Sequence, residues 1–169
     1  MISVQVNDKL VQESLGELNS RLKDLRPAFA EIGEDMVTST KRRFATATTP
    51  EGSPWAPNSS VTVDRYLGVF KTSHKKDGTL SKAGAARSAS KKPLTGETKA
   101  LQSTINDQLD GSTGVRIGSP MVYAAMQQFG GTKAKFPHLW GDIPARPFLG
   151  VSAADADNIV EIVGSYLVK

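Results

Sequence analysis

The chain has 169 residues, 38% of them apolar and 22% charged, with no Cys and a formal net charge of +4. That length suits one domain burying roughly two-thirds of its unfolded surface, and the lowish apolar share predicts a sizeable segment outside the core. The absence of Cys excludes a disulfide framework and a thiolate site, no run nears the roughly 18 apolar residues that cross a bilayer, and Asp8 and Glu13 interrupt what would be the apolar core of a signal peptide. A soluble chain with no membrane partner, assembled in a reducing cytoplasm, is the expectation.

In chain order, "ISVQV" reads as a possible short strand. Residues 8–25 then place Leu15, Leu18, Leu22 and Leu25 at alternating steps of three and four, which lines one face of a helix. Asp8 is placed to cap its start, and Pro27 disfavours helical geometry at Arg26, which predicts a break. A second helix carries Phe29, Ile32, Met36 and Phe44 and ends in "TKRRF", whose Lys41, Arg42 and Arg43 suit the negative end of a helix dipole.

Between about 46 and 93 the periodicity vanishes, and a long polar loop is expected. It opens with the turn-rich "TTPEGSPWAPNSS", and only "VTVDRYLGVF" inside it reads as a strand or helical turn. The stretch 71–92, "KTSHKKDGTLSKAGAARSASKK", holds seven of the 21 basic residues and one of the 17 acidic ones, Asp77. It therefore supplies the whole positive excess. Gly, Ser and Lys bury little apolar area, so the stretch needs a partner to become fixed. Its cations Lys75, Lys76, Lys82, Arg87, Lys91 and Lys92 are candidates for contact with nucleic acid or an acidic protein, against the plainer reading of a solvated loop.

Beyond the loop, "LQSTINDQL" and "TGVRIGS" read as two strands around the turn "DGS". The first has only a thin buried face. "MVYAAMQQF" is a short helix stopped by Gly130 and Gly131, and "FPHLWGDIPARPF" is held extended by Pro137, Pro144 and Pro147. In the last helix Ser152 and Asp155 have the spacing of a capping box, and Ile159, Ile162, Val163 and Tyr166 form an apolar stripe. The fold expected is α+β, a single domain over 1–169: a small antiparallel sheet packed by the N-terminal helices and a C-terminal helix.

Catalytic patterns are missing. His74 and His138 lack a second His or an acidic cluster at ligand spacing, so no metal is expected. Asp155 and Asp157 fall in the first turn of a helix, where the dipole accounts for them. "GVRIGS" matches neither phosphate-loop pattern, and no Ser sits in a nucleophile elbow. An enzyme or a cofactor is not expected. Contact residues fare better. Trp55, between prolines in "GSPWAP", and Arg146 with Phe148, in "IPARPFLG", sit on stiff backbone and belong to the types enriched at protein interfaces. The competing reading is that Trp55 and Phe148 cover the domain's own core. For Arg146 it is a bond within the subunit.

The ordered set "PEGSPWAP", "PLTGETKALQSTI", "VRIGSPMVYAAMQQFGG" and "IPARPFLG", followed by a terminal helix, resembles the phage virion morphogenesis family, which includes tail-completion proteins of Mu-like and P2-like phages. Thr95-Gly96, Tyr123-Ala124, Phe129-Gly130 and Pro144, Arg146, Pro147 and Phe148 match the family pattern. Relatives often carry His where this chain has Gln127, and the basic segment is longer than the family's usual connection. The resemblance implies a non-enzymatic virion protein of the neck: a tail terminator that completes the tail and joins it to the head. It implies a homo-oligomeric ring, hexameric by analogy with the sixfold tail tube, that meets neighbouring neck and tail-tube proteins. Trp55, Phe129, Arg146 and Phe148 then become interface candidates, and the basic segment faces packaged DNA or an adjoining ring. The alternative is a small nucleic-acid-binding protein with 71–92 as its arm.

Overall fold

The computed structural model describes residues 8–96, 98–139 and 141–168, and the strand expected at "ISVQV" lies outside them. The fold is small α+β: helices α1 (Lys9–Lys23), α2 (Arg26–Thr46), α3 (Ser60–Gly68), α4 (Lys82–Ser90), α5 (Ala100–Ser103), α6 (Ala124–Phe129) and α7 (Ala153–Val168), with strands β1 (Asn106–Asp110) and β2 (Gly114–Gly118) between α5 and α6. The described residues form two compact units, one of 8–39, 106–118 and 151–168, the other of 40–105 and 119–150. Helix α2 enters both. None of the described helices is long and apolar enough to cross a membrane.

In the first unit Ala28, Ile32 and Met36 recur at every fourth position of α2 and meet Ile162 of α7 in the core. Phe29, Val115, Ile117, Ile159, Val163 and Tyr166 pack around them, so the stripe expected on the last helix faces inward. The hairpin is antiparallel, Asn106 opposite Gly118 and Asp110 opposite Gly114, and Gly111 takes the positive φ of 63° that its turn requires. The strand is shorter than expected. Leu101 and Ile105 are both buried, and their spacing of four belongs to a helical turn, so Ala100–Ser103 forms α5 rather than strand.

The capping box forms at α7. Asp155 N–H donates to Ser152 Oγ at 3.1 Å and Ser152 N–H donates to Asp155 Oδ2 at 2.8 Å. Ser39 Oγ–H also donates to Asp155 Oδ1 at 2.6 Å, which gives the buried carboxylate a role beyond the dipole. At the other end Arg21 Nη1–H donates to the Leu167 carbonyl at 3.2 Å, and Tyr166 O–H donates to the Asp24 carbonyl at 2.6 Å. These bonds seat α1 on α7.

Two expectations for α1 change. Asp8 occupies the N-cap position, but its side chain makes no cap bond. Leu18 and Leu25 are half-buried, whereas Leu10, Val11, Leu15 and Leu22 are 73%, 57%, 54% and 51% exposed. Only the side turned to α7 is covered. At the break before α2, the Arg26 guanidinium bonds the Asp24 carboxylate at 2.6 and 2.8 Å and holds its pKa down at about 2.

The long polar loop carries structure of its own. Helices α3 and α4 both fall within it, each with a serine N-cap: Thr62 N–H donates to Ser59 Oγ, and Gly84 N–H donates to Ser81 Oγ. Composition hid α4, because "KAGAARSAS" shows almost no apolar stripe. Its alanines favour helix, and its anchor is a close backbone approach: a Cβ on Gly84 would stand 2.0 Å from the Ser73 carbonyl oxygen.

Candidate functional site

Three of the motifs converge in the second unit. Gly130, at φ 71°, passes so near the returning chain that a Cβ there would lie 2.7 Å from Ala145 N and 2.8 Å from the Ile143 carbonyl oxygen. Gly131 and Ile143 then pair as an antiparallel bridge, each donating its N–H to the other's carbonyl, at 2.9 and 2.8 Å. This fixes "QQFGG" against "IPARPFLG". Gln128 completes the joint: its Oε1 accepts from the N–H of Phe148 and of Leu149 at 2.9 and 3.0 Å, and its Nε2–H donates to the Leu149 carbonyl at 2.9 Å. A side-chain amide thus replaces the missing strand partner of a proline-bounded segment.

"PWAP" is the third piece. The Trp55 indole N–H donates to the Pro147 carbonyl at 2.7 Å, while Arg146 returns two bonds, Nε–H to Ala56 O at 2.8 Å and Nη2–H to Pro57 O at 2.7 Å. Phe44 stacks edge-on to Trp55 at 5.3 Å and tilted to Phe148 at 5.4 Å. Arg43 Nη1–H donates to the carbonyls of Phe148 and Gly150, both at 2.8 Å. The residue expected to complement the dipole of α2 therefore also bonds the chain arriving at α7.

This placement revises the interface expectation. Trp55, Arg146 and Phe148 are 5%, 8% and 0% exposed, so they form the core and the internal bonds of the unit rather than anchors offered to a neighbour. Burial lowers the Arg146 pKa, and the two carbonyls offset the loss of water without a carboxylate. Phe129 differs. It is 78% exposed, so the backbone of "QQFGG" is held inward while its aromatic points to solvent; Val122 and Tyr123, just before α6, are 100% and 46% exposed.

The basic residues split in the same way. Arg87 lies over the Phe70 ring at 4.5 Å and bonds Thr72 Oγ1 at 3.1 Å, and Lys91 lies over Tyr66 at 4.6 Å. Lys91 and Lys92 donate to the carbonyls of Thr95 and Ala45. Lys75, Lys76 and Lys82 are exposed and, with Lys71, have no side-chain bond or ion pair among the described residues.

Among the described residues no group of three or more His, Cys, Asp or Glu is placed to hold a metal. A depression of about 490 Å³ is lined by Lys23, Asp24, Arg26, Gly111 and Ser112, with the Asp24–Arg26 ion pair at its wall. Sequence reasoning missed Gln128, since glutamine in a short helix carries no signal of its own. The prolines and glycines facing it were the available clue, because they mark a strand lacking its usual partners.

Comparison with curated proteins and with solved structures finds no match. The family model of the phage virion morphogenesis family matches residues 6–168, nearly the whole length, and takes in the glycine turn, the Gln128 joint and the Arg146 segment. The chain belongs to the phage virion morphogenesis family.

Proposed function

We propose that the protein is a structural component of the neck of a tailed phage or prophage, whose copies associate into a ring that completes the tail and joins it to the head. Family membership ties the chain to the building of virus particles. The observation that carries the finer reading is the apolar side chains left in water at the two ends of α6: Val122 and Tyr123 before it, and Phe129 at its end, where Gln128 and the glycine bridge fix the backbone. Large rigid apolar groups of this kind are what a protein partner desolvates on binding. A second copy is the occupant proposed, since a ring needs a lateral contact that repeats. The role needs no catalysis, because a growing tail tube ends in open subunit contacts and a ring with unlike faces can close them.

Electron microscopy of lysates from an amber mutant tests the reading. Separate DNA-filled heads and tails are expected. Complete virions in normal yield would overturn it, and empty heads alone would point to packaging or DNA retention instead. A second reading, a nucleic-acid-binding protein that acts without assembling, draws on the unpaired lysines; a chain that stays monomeric when concentrated would favour it.

A further inference from the structure

The turn between α3 and α4 carries more charge than a structural role uses. It is a folded tip. Lys75 N–H donates to Thr79 O at 2.8 Å, Gly78 N–H to Lys75 O at 3.1 Å and Ser81 N–H to Ser73 O at 2.9 Å, with His74 and Leu80 paired as a bridge. Ser81 Oγ–H adds a bond to Thr72 O at 2.6 Å. Asp77, the one acidic residue of the segment, is oriented by the turn itself: its carboxylate accepts from Thr79 Oγ1–H at 2.6 Å and Thr79 N–H at 2.9 Å, bonds that lower its pKa and keep it charged. The backbone is therefore set before any partner arrives.

Four exposed lysines remain on this tip, Lys71, Lys75, Lys76 and Lys82, in no ion pair among the described residues; the single charge of Asp77 offsets only one of them. Like charges gathered on one short hairpin repel, and the repulsion is relieved when an anionic surface covers them. The choice of surface follows from what surrounds them. Protein interfaces are depleted in Lys at their cores and rely on aromatic and Arg anchors. Here the nearby aromatics Tyr66 and Phe70, and Arg87, are already paired with one another or with Lys91. The hydroxyls of Thr72, Ser73, Thr79 and Ser81 are bonded within the unit as well, so the groups left over are lysine ammoniums on a hydrogen-bonded turn, point charges that suit phosphate oxygens.

We propose that the hairpin 71–82 is a sequence-independent contact for the phosphate backbone of duplex DNA, made by Lys71, Lys75, Lys76 and Lys82. The inference holds for the protein as purified, whether single or assembled, and so stands apart from the ring. It is tested by fluorescence anisotropy with a labelled random-sequence duplex of about 25 base pairs, titrated with the full chain at several salt concentrations. Four phosphate contacts predict a slope of log K against log salt of about −3.6, a fall of roughly a hundredfold between about 50 and 200 mM salt. The quadruple variant Lys71→Ala, Lys75→Ala, Lys76→Ala, Lys82→Ala should bind at least about tenfold more weakly at the lower salt, with a slope near zero. Its circular dichroism and sedimentation should match the parent, and the corresponding quadruple change to Arg should keep the slope. No binding at about 50 mM salt, or a slope that survives the alanine variant, overturns the proposal. So does tighter binding to a polyglutamate peptide than to DNA, which would make the partner an acidic protein. Sedimentation of the same samples reports self-association separately, so a failure here leaves the ring reading to its own test.

Discussion

The aromatic and proline joint and the basic hairpin lie in the same unit, and both are rich in groups that look available for binding. They use those groups in opposite ways. In the joint, the indole N–H of Trp55, the guanidinium of Arg146 and the amide of Gln128 all end on backbone groups of the same unit. In the hairpin, the backbone closes on itself and the lysines are left over. The comparison teaches that residue type does not say which way a side chain is spent. An extended segment with prolines has orphan carbonyls and draws nearby donors inward, whereas a turn that satisfies its own backbone leaves its side chains to solvent.

The largest effect that would break this contrast comes from the joint. Phe148→Ala removes a fully buried ring stacked on Phe44 and should cost about 3–5 kcal/mol in urea denaturation followed by tryptophan fluorescence. A loss under about 1 kcal/mol would mean the cluster is not a core. A middle-sized effect is expected from Gln128→Ala, which strands two N–H groups and a carbonyl. About 1–3 kcal/mol should be lost, and hydrogen exchange at the amides of Phe148 and Leu149 should quicken. Unchanged protection there would show that the clamp is incidental. The smallest effect belongs to the hairpin: the quadruple lysine-to-alanine variant should shift stability by no more than about 0.5 kcal/mol. A larger loss would mean that these lysines are spent inward after all.

Several elements were legible because their causes are short-range. A break near Pro27, the Ser152–Asp155 box and the stops at Gly130 and Gly131 are decided within a few residues. The break itself falls at Asp24 and Leu25, and Arg26, expected to avoid helical geometry, opens α2. The apolar stripe of α7 needs only a helical period. Phe129, Arg146 and Trp55 were found as residues of consequence, yet their type left open whether they face a neighbour or their own core. Helix α4 was not legible, since its alanines and serines show no stripe and its position rests on Gly84 meeting Ser73. The strand read at "LQS" was lost to α5 because two apolar residues four apart suit a turn of helix as well as a strand edge, and burial of Leu101 and Ile105 decided it.

By itself the sequence determined that a break separates the two N-terminal helices, how α7 is capped at its start, which stripe of α7 turns inward, and that all the excess positive charge lies in residues 71–92. Those properties follow from periodicity, capping and counting. Tertiary structure alone decided that Arg146 bonds the carbonyls of Ala56 and Pro57, about ninety positions earlier in the chain, and that Gln128 holds Phe148 and Leu149. It also decided that Phe129 and much of α1 keep their apolar side chains in water. The reason is physical: a donor's partner, and the water a side chain keeps or loses, depend on which distant segment returns beside it, and no local pattern encodes that return.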